Sequence, residues 1–127
     1  MNETQSKSIL LVEDDKDSSE ILSSILEMKF PHSRIYCAGD GKAGLDSFIR
    51  YLPDIVITDI SMPEMDGTWM ISRIPAIKAD TRVIVVTAHS DRSTHDIFAL
   101  TGVNCEVVRK PIDFEDLFAS IECCMGG

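Results

Sequence analysis

Asp54-Ile55-Val56-Ile57-Thr58-Asp59-Ile60-Ser61-Met62-Pro63-Glu64-Met65-Asp66-Gly67 is the stretch on which the reading of this chain turns. Residues 54–59 form a mostly apolar run, as expected of a parallel strand with both faces covered. Pro63 and Gly67 then break the pattern, so Asp59 ends the strand where a turn begins. Working outward, Ser8-Ile9-Leu10-Leu11-Val12-Glu13 and Arg82-Val83-Ile84-Val85-Val86-Thr87 have the same character. Ser33-Arg34-Ile35-Tyr36-Cys37-Ala38 is more polar and suits a sheet edge, as does a short strand around Glu106-Val107-Val108-Arg109.

Between these runs the apolar period lengthens towards 3.6. Leu45, Phe48, Ile49 and Leu52 follow i, i+3, i+4, i+7 spacing, which predicts one buried helix face. Phe114, Leu117, Phe118 and Ile121 repeat it behind Asp113, a good N-cap followed by acidic Glu115 and Asp116. Gly102 fits the end of a helix over 97–101, and a helix starting near Gly67 is expected to stop or kink at Pro75. Strands alternating with five helical segments through short connections imply a parallel α/β sheet with right-handed crossovers.

In such sheets, ligands bind beyond the carboxyl ends of the strands. Glu13 and Asp14 follow the first strand, Asp59 ends the third, Thr87 ends the fourth and Lys110 lies just past the fifth. Carboxylates brought together repel unless a cation intervenes, and hard oxygen donors suit Mg²⁺. A carboxylate is also a competent nucleophile for an aspartyl phosphate. Phosphoryl transfer then asks mainly for neutralisation of three equatorial oxygens, which a metal, the Lys110 ammonium and either the Thr87 hydroxyl or nearby backbone N–H groups supply between them.

These residues, taken in order, carry a family resemblance. Leu11-Val12-Glu13-Asp14-Asp15, the quoted stretch from Asp54 to Gly67, Val86-Thr87-Ala88 and Lys110-Pro111 together resemble bacterial response-regulator receiver domains, from about Lys7 to Met125. The resemblance implies a flavodoxin-like, doubly wound parallel sheet of five strands in the order 2-1-3-4-5, flanked by five helices. It implies Asp59 as phosphoacceptor and Thr87 and Lys110 as phosphoryl-binding groups. Glu13, Asp14, Asp59 and the backbone carbonyl of Ser61 would be the Mg²⁺ ligands. A Lys110–Pro111 bond that is often cis goes with it. The implied partners are a histidine kinase or phosphotransfer protein and a downstream effector that the sequence leaves unnamed. Homodimerisation through the fourth and fifth helices also belongs to the family pattern. A phosphorylation-independent interaction module on the same fold is the alternative function.

Two departures stand out. Val107 takes the place, three residues before Lys110, where receivers usually carry Tyr or Phe. The segment from Gly102 to Lys110 is also one residue longer than usual, which leaves the register of the fifth strand open. His89, two residues after Thr87, sits where a side chain in this family borders the path of water to the phosphoryl group. Gly39-Asp40-Gly41-Lys42-Ala43-Gly44 matches G-x-G-x-x-G but follows the polar second strand, so a turn and helix start is preferred to a dinucleotide site. A phosphatase of the haloacid dehalogenase type is disfavoured, because Ser61 stands where that family carries its second Asp.

The 127 residues, 44% hydrophobic and 26% charged, suit one domain over 7–127 behind a frayed tail at 1–6. A net charge of −9 disfavours nucleic acid, whose phosphates call for Lys and Arg. No apolar run approaches the roughly 20 residues of a membrane span. Residues 1–6 lack the pattern of an export signal, and Cys37, Cys105, Cys123 and Cys124 show no metal-ligand spacing. Reduced, mostly buried thiols in the cytoplasm are expected.

Overall fold

A computed structural model describes residues 7–60, 66–88, 98–99 and 101–126. Five strands lie within them: β1 (Ser8–Val12), β2 (Arg34–Ala38), β3 (Ile55–Asp59), β4 (Arg82–Thr87) and β5 (Cys105–Arg109). The helices are α1 (Lys16–Lys29), α2 (Gly41–Tyr51), α3 (Asp66–Ile77) and α4 (Phe114–Gly126). Four helices are thus counted among the described residues, not the expected five. Of the segment expected over 97–101, Phe98, Ala99 and Thr101 are helical, while Ile97 and Leu100 lie outside the described residues, as does the tail at 1–6. Its predicted end is present: Gly102 adopts φ 76° and its N–H donates to the Phe98 carbonyl at 2.7 Å.

Every pairing is parallel and the strand order is β2-β1-β3-β4-β5. The register of β5 is settled, from Cys105 against Val83 to Arg109 against Thr87. Side-chain alternation divides the core in two. Ile9, Leu11, Ile57 and Ile84 pack under Leu22 and Leu26 of α1 and Leu117 and Ile121 of α4. Leu10, Val12, Val56 and Val85 pack on the opposite face with Phe48 of α2 and Met70, Ile71 and Ile74 of α3. Both faces are covered, which is why the central strands read as unbroken apolar runs.

Aspartates start three of the helices. Asp15 accepts from Ser18 N, Asp40 from Ala43 N, and Asp113 from Glu115 N and Asp116 N. Each such cap is worth about 1 kcal/mol. The glycine-rich stretch around Asp40 is accounted for by packing: a Cβ on Gly44 would lie 2.6 Å from Met70 Sδ and 3.0 Å from Val12 Cγ2. Gly44 lets α2 and α3 close onto β1.

Three expectations need correction. On α2, Phe48 is buried as expected, but Ile49 is 55% and Leu52 46% exposed; Leu52 caps the helix at φ 48°. Gly41 and Gly44 are buried instead, Gly44 against Val12 of β1, which rotates the buried face away from Ile49. Helix α3 does not stop at Pro75 but runs on to Ile77. Pro75 is exposed and close to the helix end, so the missing N–H removes one bond of the last turn, and Lys78 N still reaches Ile74 O at 3.0 Å. The cysteines are not mostly buried: Cys105 and Cys124 are, whereas Cys37 and Cys123 are exposed.

That division predicts thiol reactivity. Burial pushes the Cys105 thiol up to about 12 and raises that of Cys124. At about pH 8 only about one Cys105 in ten thousand is a thiolate. A chromogenic disulfide reagent is expected to titrate Cys37 and Cys123 in the native protein, and Cys105 and Cys124 only after denaturant is added. Four fast thiols in the native protein would contradict the burial.

Candidate functional site

The carboxyl ends of β1, β3, β4 and β5 lie side by side because the strands are parallel and in register. Asp59, the last residue of β3, pairs with Val86, one residue before Thr87. Thr87 pairs with Arg109, and the Lys110 N–H donates to the Thr87 carbonyl at 2.9 Å. Glu13 directly follows β1, and its N–H donates to the Ala38 carbonyl at 3.0 Å. Five sequence-predicted residues (Glu13, Asp14, Asp59, Thr87 and Lys110) thus come from four adjacent strand ends. Ser61 and His89 lie outside the described residues.

Asp59 is 4% exposed, so its carboxylate has little solvent of its own. Lys110 compensates it, with Nζ 2.6 Å from Asp59 Oδ2. Charge-assisted contacts of this kind are about twice as strong as neutral ones. Burial alone pulls the Lys110 ammonium down. The hydrogen bond and charge of Asp59, aided by Glu13 and Asp14, outweigh burial and hold it above the ordinary lysine value. The linked stability is therefore complete below the unfolded lysine pKa and is lost only as pH rises through the higher folded value, so it is intact at neutral pH.

Glu13 is 7% exposed. Its pKa is raised by burial, opposed by the Asp15 N–H that donates to Oε2 at 3.1 Å, and raised further by the charge of Asp59. Carboxylate oxygens of Glu13, Asp14 and Asp59 lie within 4.8 Å of one another, two of the residues buried and Asp14 exposed. Three hard anionic donors facing one ammonium suit a divalent cation, and Mg²⁺ typically takes one or two carboxylates and completes its shell with water. The donor set fits the implied metal.

Two contributors were not read from the sequence. Asp15 both caps α1 and orients Glu13 through its N–H; the signal available was Asp15 followed by Ser18 at N3 spacing. Gly67 allows the start of α3 to approach the site, since a Cβ there would lie 3.1 Å from the Asp59 carbonyl oxygen. Beside the carboxylates is a hollow walled by Ile21, Leu22, Ile112 and Phe114, with Glu13 and Lys110 also lining it. The Lys110–Pro111 bond is cis. Val107, in place of an aromatic ring, is half-buried against the core on the α2–α3 side.

A parallel α/β fold with acids, a hydroxyl and a lysine at one rim defines a class, and sequence comparison gives it a name. The model for the response regulator receiver domain matches residues 9–122, and the chain belongs to that family. It is 31% identical over 122 residues to a probable chemotaxis protein CheY of Rhizobium etli, covering 92% of each. It is also 31% identical to the regulatory protein AtoC of Escherichia coli, covering 86% of this chain and only 23% of that protein. Among solved structures, a signal receiver domain of a DNA binding response regulator from Colwellia psychrerythraea superposes with TM-score 0.82 at 32% identity, covering 95% of this chain and 99% of the other. The N-terminal domain of an uncharacterized Wolinella succinogenes protein is 38% identical with TM-score 0.79, covering 94% of each. The family consists of signalling modules of two-component systems, in which phosphorylation and magnesium are general features.

Proposed function

We propose that this chain is a phosphorylation-operated receiver in which Asp59 takes a phosphoryl group from a histidine kinase or phosphotransfer protein and thereby changes its affinity for an effector. The observation that carries the reading is the setting of Asp59: a carboxylate buried at a strand end, 2.6 Å from Lys110 and clustered with Glu13 and Asp14. A carboxylate oxygen is a competent nucleophile for an aspartyl phosphate. An Asp59 oxygen attacks phosphorus, an O–P bond forms, and the P–N bond of a phosphohistidine or the P–O bond of an acyl phosphate breaks. Lys110 follows the charge onto one phosphoryl oxygen, and the Thr87 hydroxyl donates to another. Glu13, Asp14, Asp59 and the Ser61 carbonyl would hold Mg²⁺, which supplies charge neutralisation when bound.

The hollow lined by Ile21, Leu22, Ile112 and Phe114 opens beside the carboxylates and offers apolar contact to the phosphodonor. The same groups catalyse loss of the phosphoryl group to water, so the module assists both directions without a separate substrate. We assign the receiver to 7–127 and the tail to 1–6. The effector belongs to the same proposal, as does a cytoplasmic setting. Among the described residues no helix is long and apolar enough to cross a membrane. The −9 charge argues against direct nucleic-acid binding by this domain.

Acetyl phosphate with Mg²⁺ is expected to add one phosphoryl group by intact mass, and EDTA to prevent it. Beryllofluoride with Mg²⁺ is expected to raise the thermal midpoint, because a ligand that binds only the folded state stabilises it by mass action. No mass gain and no beryllofluoride effect would leave the phosphorylation-independent interaction module as the better reading.

A further inference from the structure

Ile21 is 59% and Phe114 38% exposed, and both border the hollow beside the carboxylates. Apolar side chains standing singly on a surface are ordinary. Four of them around one concave space, with a few polar groups at its side, have the make-up of a ligand pocket. The fold holds this lining in place. Leu22 belongs to the core under α1 and α4. The Phe114 ring leans on Phe118, with centroids 6.2 Å apart, and Phe118 stands edge-on to Phe30 at 5.9 Å. Phe30 caps the end of α1, so the aromatic wall is braced from that helix.

Polar groups sit on the side of the hollow that meets the site. Ser18 is part of the lining, but its hydroxyl donates to Asp15 Oδ2. That leaves Glu13 and Lys110, and Lys110 Nζ reaches Asp59 Oδ2 at 2.6 Å. Lys110 therefore touches both the phosphoacceptor and the hollow, which begins one side chain away from Asp59. The hollow measures about 150 Å³. A cavity of about that size lined by Leu, Ile and Phe holds a benzene-sized molecule. The matching ligand is small and two-ended: an anionic phosphoryl group for Lys110, joined directly to a short apolar body.

We infer that the hollow is a leaving-group subsite for small acyl phosphates, and that Ile21 and Phe114 favour donors whose acyl group is a short alkyl chain. The inference rests on the receiver reading above and names the chemistry of one donor class. An Asp59 oxygen attacks phosphorus and the P–O bond to the acyl oxygen breaks. That oxygen leaves with the bonding pair as a carboxylate, its chain lying against Ile21, Leu22, Ile112 and Phe114. Acetate and butyrate are equally weak bases, so acetyl phosphate and butyryl phosphate differ in chain length and not in intrinsic reactivity.

The test gives the full chain each donor in turn, at limiting concentration with Mg²⁺, and follows phosphoryl uptake by intact mass. Butyryl phosphate is expected to react about tenfold faster, the worth of two further methylenes removed from water. Ile21→Ser and Phe114→Ala are each expected to bring the ratio of the two rates towards one. The ratio is read because it cancels any general loss of activity or of folded protein. Met28→Ser, 82% exposed farther along α1 and outside the hollow, is expected to keep the wild-type ratio. Equal rates in the wild type, or a preference that survives both hollow variants, overturn the inference and leave the receiver reading in place. Uptake from neither donor overturns both.

Discussion

Asp59→Asn is expected to take up no phosphoryl group from acetyl phosphate while remaining folded. The amide lacks the anionic oxygen that attacks phosphorus, and the change removes one of three clustered acids. The fold survives because the charge left behind is that of Lys110, whose side chain is 34% exposed and can turn towards water. Lys110→Ala is the asymmetric counterpart. It strands the buried Asp59 carboxylate beside Glu13 without its cation, so it both slows transfer and destabilises the native state. Removing a donor aimed at transition-state charge costs on the order of 10²–10³ in rate. Single-turnover phosphorylation followed by intact mass, with thermal melts of both variants, checks the pair. Phosphoryl uptake by Asp59→Asn at the wild-type rate would move the acceptor elsewhere.

Phe48→Ala is expected to have the largest effect on stability. The ring is fully buried among Leu10, Val12, Val56 and Met70. Its loss removes apolar burial and leaves a cavity that neighbours on two strands and a helix cannot all close, costing about 3–5 kcal/mol. For a domain of this size that lowers the thermal midpoint on the order of 10 °C or more. Ile49→Ala, one residue along, is expected to change it little because Ile49 is exposed. Chemical denaturation of both separates the buried position from the exposed one, and equal losses would contradict the orientation of α2.

That contrast also marks where sequence reasoning reached its limit. Spacing placed Phe48 and Ile49 on one apolar stripe, and they do share it. Which edge of the stripe meets the sheet was decided by Gly44, whose missing side chain admits Met70 and Val12 and turns the helix towards its glycine side. Pro75 shows the same kind of limit: the rule that proline interrupts a helix is local, and here the helix ends only two residues later, at Ile77. The strands were legible to within a residue or two because both-face burial leaves an unbroken apolar run. The N-cap at Asp113 was legible because capping is a local interaction.

At the site, the sequence alone determined which polar residues gather at one rim. Glu13, Asp14, Asp59, Thr87 and Lys110 each end or follow a strand, and parallel connectivity obliges those ends to meet at one rim. Only the tertiary structure decided how they meet. The 2.6 Å contact between Lys110 and Asp59 joins residues 51 apart in the chain, the Asp15 N–H orients Glu13, and burial of Asp59 strengthens the whole arrangement. The physical reason is that residue type and period are local properties, whereas distance and desolvation belong to packed neighbours that the chain brings together only on folding.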